Sequence, residues 1–361
     1  MRCRILIAAV LLIVPAAAFA ADGDEHIHDA HTMEAHGAHT GAAAHIHHQH
    51  PKGDWMFEYR FMRMSMDGLL DGTDGVDTRD ISGVFPGMPP TQDPSKAYRI
   101  APTDMTMDMH MVMAMYGWTD RVALMGMATY LDNEMDMVMH MPALDMLGTM
   151  ETDGFGDSLV GVMIQSSDRL TASLGLSIPT GSIDERLDFT MTGTNPMTGM
   201  TQSITNRVKA GYPMQLGSGT WDLIPSVTYA MAGEKLGAGV QASYTWRVGE
   251  NDNDYTLGNL IEVITWAKHA VNQFLLGTIK FSYAHWGRMD GQDPEINPTI
   301  APTTDPRATG GSRIDVSLGL NGFVGNGHSF GIEFGAPIYQ DLNGPQMETD
   351  WILSLSYQFM M

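Results

Sequence analysis

Cysteine is almost absent from this sequence, and positive charge is scarce. One Cys in 361 residues excludes an intramolecular disulfide framework and any Cys-rich zinc module. Twenty Lys and Arg stand against 42 Asp and Glu, a formal charge of −22. That excludes a nucleic-acid partner, because phosphate contacts need cationic side chains. Beyond the N-terminus no segment has the roughly 18 consecutive apolar residues of a membrane-spanning helix. The charged fraction is 17% and the hydrophobic fraction 43%, a balance that argues against wholesale disorder. What the chain has in excess is methionine, 31 residues of it. Met is soft, flexible and apolar, so the excess reads either as soft-metal chemistry or as a substitute for Leu.

The N-terminus reads as an address. Arg2 and Arg4 precede an apolar run from Ile5 to Val14, then Pro15 and the small-residue site Ala18-Phe19-Ala20. This tripartite pattern predicts a secretory signal peptide over 1–20, cleaved after Ala20. Cys3 leaves with it, so the mature chain has no Cys and carries 18 basic against 42 acidic groups, −24. Residues 21–53 follow as an aperiodic, disordered periplasmic tail. It holds His26, His28, His31, His36, His39, His45, His47, His48 and His50. Closely spaced neutral imidazoles can share one Cu, Zn or Ni ion.

From Asp54 onward the chain alternates with period 2. Trp55, Phe57, Tyr59 and Phe61 share one parity, with Glu58 and Arg60 on the other; Trp351, Leu353, Leu355, Tyr357 and Phe359 repeat the pattern at the C-terminus. Such segments are strands with one apolar and one polar face. Twelve are predicted: 54–66, 103–117, 120–132, 155–166, 169–178, 219–231, 237–248, 255–267, 272–286, 312–324, 328–339 and 348–360. Long connections follow strands 1, 3, 5 and 9, and short ones follow strands 2, 4, 6, 8 and 10. All long loops therefore fall on one side, and aromatics gather near segment ends, as in outer-membrane barrels. The expected fold is all-β, a transmembrane antiparallel β-barrel of about 12 strands over 54–361, in the outer membrane of a Gram-negative bacterium. Thr180–Ser218 has room for a further hairpin, which would make fourteen.

Several stretches resemble one family. They are Tyr116-Gly117-Trp118-Thr119-Asp120-Arg121, Gly154-Phe155-Gly156-Asp157, Ile178-Pro179-Thr180-Gly181 and Leu216-Gly217-Ser218-Gly219-Thr220-Trp221-Asp222. Further on come Asp305-Pro306, Gly310-Gly311, Gly319-Leu320-Asn321 and the run from Pro337 to Gln346. Over roughly 54–361 the chain resembles the outer-membrane transporter-like family labelled as the meta-pathway of phenol degradation. The resemblance implies an outer-membrane barrel and the passage of small molecules, with no catalytic residues to carry over.

Strand parity divides the methionines. Met105, Met107, Met109, Met111, Met113 and Met115 share one face; Asp104, Thr106, Asp108 and His110 share the other. Charge on the lipid face is costly, so the polar set is expected in the lumen and the Met set against lipid. A tight turn at Trp118-Thr119 would pair Met111 with Gly126 and Met113 with Leu124. Strand 1 then sends Met56, Met62 and Met64 inward with Glu58 and Arg60, and strand 4 adds Met163. The lumen site expected from this parity is Met62, Met64, His110, Met125 and Met127. A second candidate is an extracellular loop over 135–141, where Met137, Met139, His140 and Met141 could capture a cation, helped by the acidic Asp67, Asp71, Asp74, Asp77 and Asp80.

No G-x-S-x-G, H-E-x-x-H or Walker motif is present, so no enzyme is expected. The leading expectation is a transporter-like barrel that binds or passes soft metal ions such as copper. The alternatives are a channel for small hydrophobic or aromatic compounds and a non-conducting structural barrel. No cofactor is required; copper, or another soft or borderline metal ion, is the candidate ligand. Expected partners are outer-membrane lipid and lipopolysaccharide, metal ions or small molecules, and periplasmic metal-handling proteins.

Overall fold

A computed structural model describes residues 52–82, 98–141, 143–233 and 235–361. The predicted signal peptide and the nine tail histidines from His26 to His50 lie outside the described residues.

The strands are β1 (Trp55–Gly72), β2 (Asp74–Val76), β3 (Ala101–Thr119), β4 (Val122–His140), β5 (Asp145–Phe155), β6 (Ser158–Ser167), β7 (Leu170–Ile178), β8 (Arg186–Thr194) and β9 (Thr201–Lys209). They continue with β10 (Trp221–Ala232), β11 (Leu236–Val248), β12 (Tyr255–Thr256), β13 (Leu260–Asn272), β14 (Leu275–Trp286), β15 (Asp290–Gly291), β16 (Gly311–Gly325) and β17 (His328–Met360). Among the described residues, eleven of these close an antiparallel ring in the order β1-β17-β16-β14-β13-β11-β10-β7-β6-β4-β3 and back to β1. First and last strands form the seam, from Met56 opposite Met360 to Gly72 opposite Leu342.

β17 supplies two segments of that wall. Residues 328–342 pair with β16 and residues 346–360 with β1. The two halves lie side by side: Met360 N–H donates to Gly327 O at 2.9 Å, the Ser329 hydroxyl to Gln358 Oε1 at 3.2 Å, and Gln340 Nε2 to Thr349 O at 2.9 Å. The chain reverses at Asn343-Gly344, where Gly344 has φ 84°. The wall therefore has twelve segments, each overlapping one of the predicted strands.

Turn chemistry sorts the two ends. Asn326 and Gly327 have φ 51° and 78°, the pair of positive values that a type I′ hairpin turn requires and that Asn-Gly adopts readily. β3–β4, β6–β7, β10–β11 and β13–β14 are joined by equally brief turns at the same end. The long connections all emerge at the other end. Closure leaves no edge on the ring, so every wall strand has both ladders filled.

The wall is taller on one side. β1 spans 18 residues and β3 and β4 span 19 each, against 9 to 13 for β7, β10, β11, β13 and β14. Residues 135–141, expected as a loop, run to His140 inside β4 and pair with both β3 and β5. Thr180–Ser218 does contain the extra hairpin, β8 with β9. It joins the sheet through β5 outside the ring, so it does not enlarge the barrel.

Candidate functional site in the barrel lumen

Inward and outward faces follow strict alternation. On β1 the outward set is Trp55, Phe57 and Tyr59, each about two-fifths exposed, while Met56, Glu58, Arg60 and Met62 are buried. Residues directly opposite in an antiparallel pair share a face. Met115, Met113, Met111, Met109 and Met107 lie opposite Met56, Glu58, Arg60, Met62 and Met64. The conspicuous methionines of β3 therefore point into the barrel. Burial agrees, with Met113 2% and Met115 1% exposed against 58% for Val112.

This corrects the expected parity. The β3–β4 turn sits at Asp120-Arg121, with Thr119 opposite Val122, and Met111 meets Thr129 rather than Gly126. The register differs by three residues, an odd number, and an odd slip exchanges the faces of a strand. His110 accordingly lies on the outer wall, its Nδ1 2.8 Å from the Tyr59 hydroxyl. Asp104, Asp108, Asp132, Glu134 and Asp136 lie on that outer face too, toward the loop end, where Arg63 bonds both carboxylate oxygens of Asp108 at 2.7 and 2.5 Å.

Two contiguous clusters hold 23 of the 31 methionines, most of them inside the ring and three, Met146, Met150 and Met191, on β5 and β8 beside it. Eleven pack around Met56, Met62, Met113, Met115, Met125 and Met163 at the turn end. Twelve pack around Met105, Met135, Met137, Met146, Met150 and Met214 at the loop end. Of the expected lumen residues, the structure brings together Met62, Met64, Met125 and Met127 and leaves out His110. Of the expected loop residues, Met137, Met139 and Met141 belong to the loop-end cluster. His140 has both ring nitrogens in hydrogen bonds, Nε2 2.9 Å from Thr78 Oγ1 and Nδ1 2.8 Å from Asp145 Oδ1. Among the described residues, no three His, Cys, Asp or Glu side chains converge on a common point.

The opposite half of the lumen is polar. Thr228, Gln241, Thr278, Ser282, Ser317 and Ser354 are buried there. Buried ion pairs join Lys280 to Glu333 and Arg313 to Asp315, while Arg60 bonds Glu58 beside the methionine wall. Sequence parity had placed Glu58 and Arg60 inside; the remainder were legible only as the polar face of each strand.

At the loop end a cavity of about 260 Å³ opens between Met64, Met66, Met105, Met107 and Met347 on one side and Trp286, Arg313 and Thr349 on another. Pro302, Thr303 and Ala308 from the β15–β16 connection form its roof. That roof is tied down by Asp305, which receives the Tyr98 hydroxyl at 2.9 Å, Arg307 N–H at 2.9 Å and the Arg307 guanidinium at 2.8 Å. Burial pushes the Asp305 carboxyl up, but the donors from Arg307 and Tyr98 outweigh it and hold the group below the usual carboxylate range. Burial and the same carboxylate push the Tyr98 phenol up.

A second clamp holds the rim. β5 and β6 are one descending strand interrupted at Gly156 and Asp157. Asp157 accepts from Gly181 N–H at 3.0 Å, Ser218 N–H at 2.8 Å and Ser218 Oγ at 2.7 Å. A side chain at Gly217 would sit 2.5 Å from Gly181 O, so only glycine admits the backbone approach these bonds need. Asp157→Ala is expected to lower stability by about 3 kcal/mol, because charged-acceptor bonds contribute most and the donors would be left buried. The urea midpoint of folding into lipid vesicles measures it; an unchanged midpoint would show the clamp to be idle.

Comparison with known proteins fits this layout. Residues 92–321 match the family described as Putative MetA-pathway of phenol degradation. The chain belongs to this family. Some of the stretches that carry the family resemblance meet in the structure: Gly156-Asp157, Thr180-Gly181 and Gly217-Ser218 at the rim clamp, and Gly310 with Asn343, where Asn343 N–H donates to Gly310 O at 3.0 Å. No curated protein sequence matches the chain. Among solved structures, an outer-membrane channel of Pseudomonas putida F1 superposes with a TM-score of 0.54 at 13% identity, covering 86% of this chain and 96% of that one. A deltaS2S3 mutant of TodX, a monoaromatic hydrocarbon channel, gives 0.51 at 9% identity, covering 86% and 91%. At such identities the family and these structures share the barrel.

Proposed function

We propose that this chain is an outer-membrane barrel that passes small apolar molecules, transport rather than catalysis being its task. The membrane setting rests on the outer face. Val112, Leu124, Val160, Leu174, Val227 and Ile279 are exposed there, and aromatics bound the band at Trp55, Trp118 and Tyr116 below and at Tyr130, Phe155 and Trp246 above. From Trp118 to His110 is eight residues, about 27 Å of strand, close to the roughly 25 Å apolar band of outer-membrane barrels. The acidic outward set of β3 and β4 then stands above the lipid.

One observation carries the substrate class: a continuous inner column of methionines leading from the roofed cavity to the turn end. Thioether side chains have three rotatable bonds and adapt to irregular apolar partners. Small apolar solutes can therefore move along the column by displacing side chains, without a permanent water-filled pore. This reading favours the hydrophobic-compound alternative over metal passage as the main task, and TodX, a channel for monoaromatic hydrocarbons, is the kind of protein it would resemble in function.

The test is initial uptake of radiolabelled toluene by cells with and without the protein. Uptake is expected to fall severalfold on deletion and again in Met66→Trp, which fills the cavity without adding charge. Equal rates in all three strains would contradict the proposal.

A further inference from the structure

The distribution of methionine over the two faces is the starting point. If Met merely replaced Leu in this chain, it would occur on both faces of the wall. Among the described residues, the exposed large apolar side chains of the wall strands are Val, Leu, Ile, Phe, Tyr and Trp, with Met231 the one methionine. The inner apolar wall is the reverse: its turn-end cluster has eight buried methionines against Ala123, Leu159 and Ile352. Burial of apolar area alone does not distinguish Met from Leu so sharply, so the inner face selects a property that Leu lacks. Flexibility is one such property and the sulfur lone pair is the other.

Register places the sulfurs in rows. Met64 is opposite Met107 and Met66 opposite Met105; the second row continues through Met135 to Met150. Directly opposed Cβ atoms lie about 4.5–5.5 Å apart, a spacing at which two flexible thioethers can reach one ion. Met64, Met66, Met105, Met107 and Met347 all line the same 260 Å³ cavity. Among the described residues, no carboxylate or imidazole lines it and Arg313 is its one charged side chain. Arg313 is paired through Nε with Asp315 at 2.9 Å and donates through Nη1 to Thr349 at 2.9 Å. Neutral sulfur donors without oxygen anions disfavour hard divalent cations and favour soft monovalent ones.

We infer that this cavity is a thioether site for a soft monovalent metal ion, Cu(I) or Ag(I), held by three or four of those five methionines. The site shares its cavity with the proposed passage of apolar solutes but depends on the sulfur lone pairs. Leu keeps the volume and apolarity of Met at a cost usually under about 1.5 kcal/mol per site, so Met→Leu removes the donors with little change to the wall.

The experiment loads the full-length protein anaerobically with Cu(I) and reads the metal's first shell by X-ray absorption, with affinity from competition against a Cu(I) chelator. Wild type is expected to show sulfur scatterers. Met64→Leu/Met66→Leu/Met105→Leu/Met107→Leu is expected to lose them and to weaken chelator-resistant binding at least about tenfold, first-shell loss exceeding the effect of second-shell changes. A nitrogen-only shell in wild type, from imidazoles alone, would overturn the site, as would an unchanged sulfur signal in the variant. Heat-dependent gel mobility verifies that the variant is folded, and Met105→Leu alone gives a milder test should the quadruple change fail to fold. Toluene uptake is read separately, by deletion: unchanged uptake in the deletion strain, with sulfur ligation intact in the purified wild type, would count against the transport proposal and leave this one standing.

Discussion

Glu333→Ala is expected to destabilise the barrel by about 3–5 kcal/mol, the range for removing one partner of a buried ion pair. Glu333 and Lys280 face each other across the lumen wall, with side chains 3% and 2% exposed. Deleting the carboxylate removes the anion bonded to a buried ammonium, and that loss costs more than the intact pair contributes. The double change Lys280→Met/Glu333→Met removes both charges and is expected to return stability to near the wild-type value, since apolar replacement of a buried pair is often neutral or better. Folding titrations in vesicles give both numbers. A small effect of the single change would mean that the polar half of the lumen is hydrated enough to solvate Lys280.

Val112→Arg is the second large effect. Val112 lies in the outer band of β3, six residues from Trp118 and two from His110, and is 58% exposed. A charge on a barrel's lipid face costs about 2–4 kcal/mol at the bilayer midplane and less toward the interfaces, so about 1–3 kcal/mol is expected here. Water on that face would leave the same substitution within about 0.5 kcal/mol of wild type. Val112→Leu is expected to be neutral in either setting. The contrast between the two substitutions reports the solvent outside the wall independently of any transport assay.

Much of the architecture was legible in the sequence because its determinants are local. Period-2 alternation located twelve wall segments, and the lengths of the connections between them sorted the tight end from the long-loop end, although the turn expected at Trp118-Thr119 falls at Asp120-Arg121. The two C-terminal segments of β17 were readable because each alternates by itself, Phe330, Ile332 and Phe334 in the first and Trp351, Leu353 and Leu355 in the second. The phase of β3 was not readable. Both of its faces look plausible to lipid in part: Met on one, and Val112, Ala114 and Tyr116 on the other. Only the register against β1, where Met115 meets Met56, decides between them, and register is a long-range property. The rule that polar residues face the lumen failed at Asp104 and Asp108, which the proposed membrane setting explains: β3 would outgrow the bilayer there, and outward acids standing in water would carry no lipid penalty. The same overgrowth turned the expected 135–141 loop into strand.

The candidate site was legible in kind and misplaced in part. Met62, Met64, Met125 and Met127 were found by parity on β1 and β4, and their neighbours on β3 were assigned outward with the rest of that strand. The cavity roof at Pro302–Asp305 carries no motif of its own. It is fixed by Tyr98, about two hundred residues earlier in the chain, and no short-range pattern announces such a contact.

The central claim is that the methionine face of β3 lines the inside of the barrel. Its most direct test is a nitroxide scan of positions 110–115, for which Cys3, the one cysteine of the sequence, is first replaced by Ser. In lipid vesicles, collision rates with oxygen, which partitions into the bilayer, are expected to peak at 110, 112 and 114 and to fall at Met111, Met113 and Met115. The opposite phase, with oxygen maxima at the methionines, would place them against lipid and contradict the account.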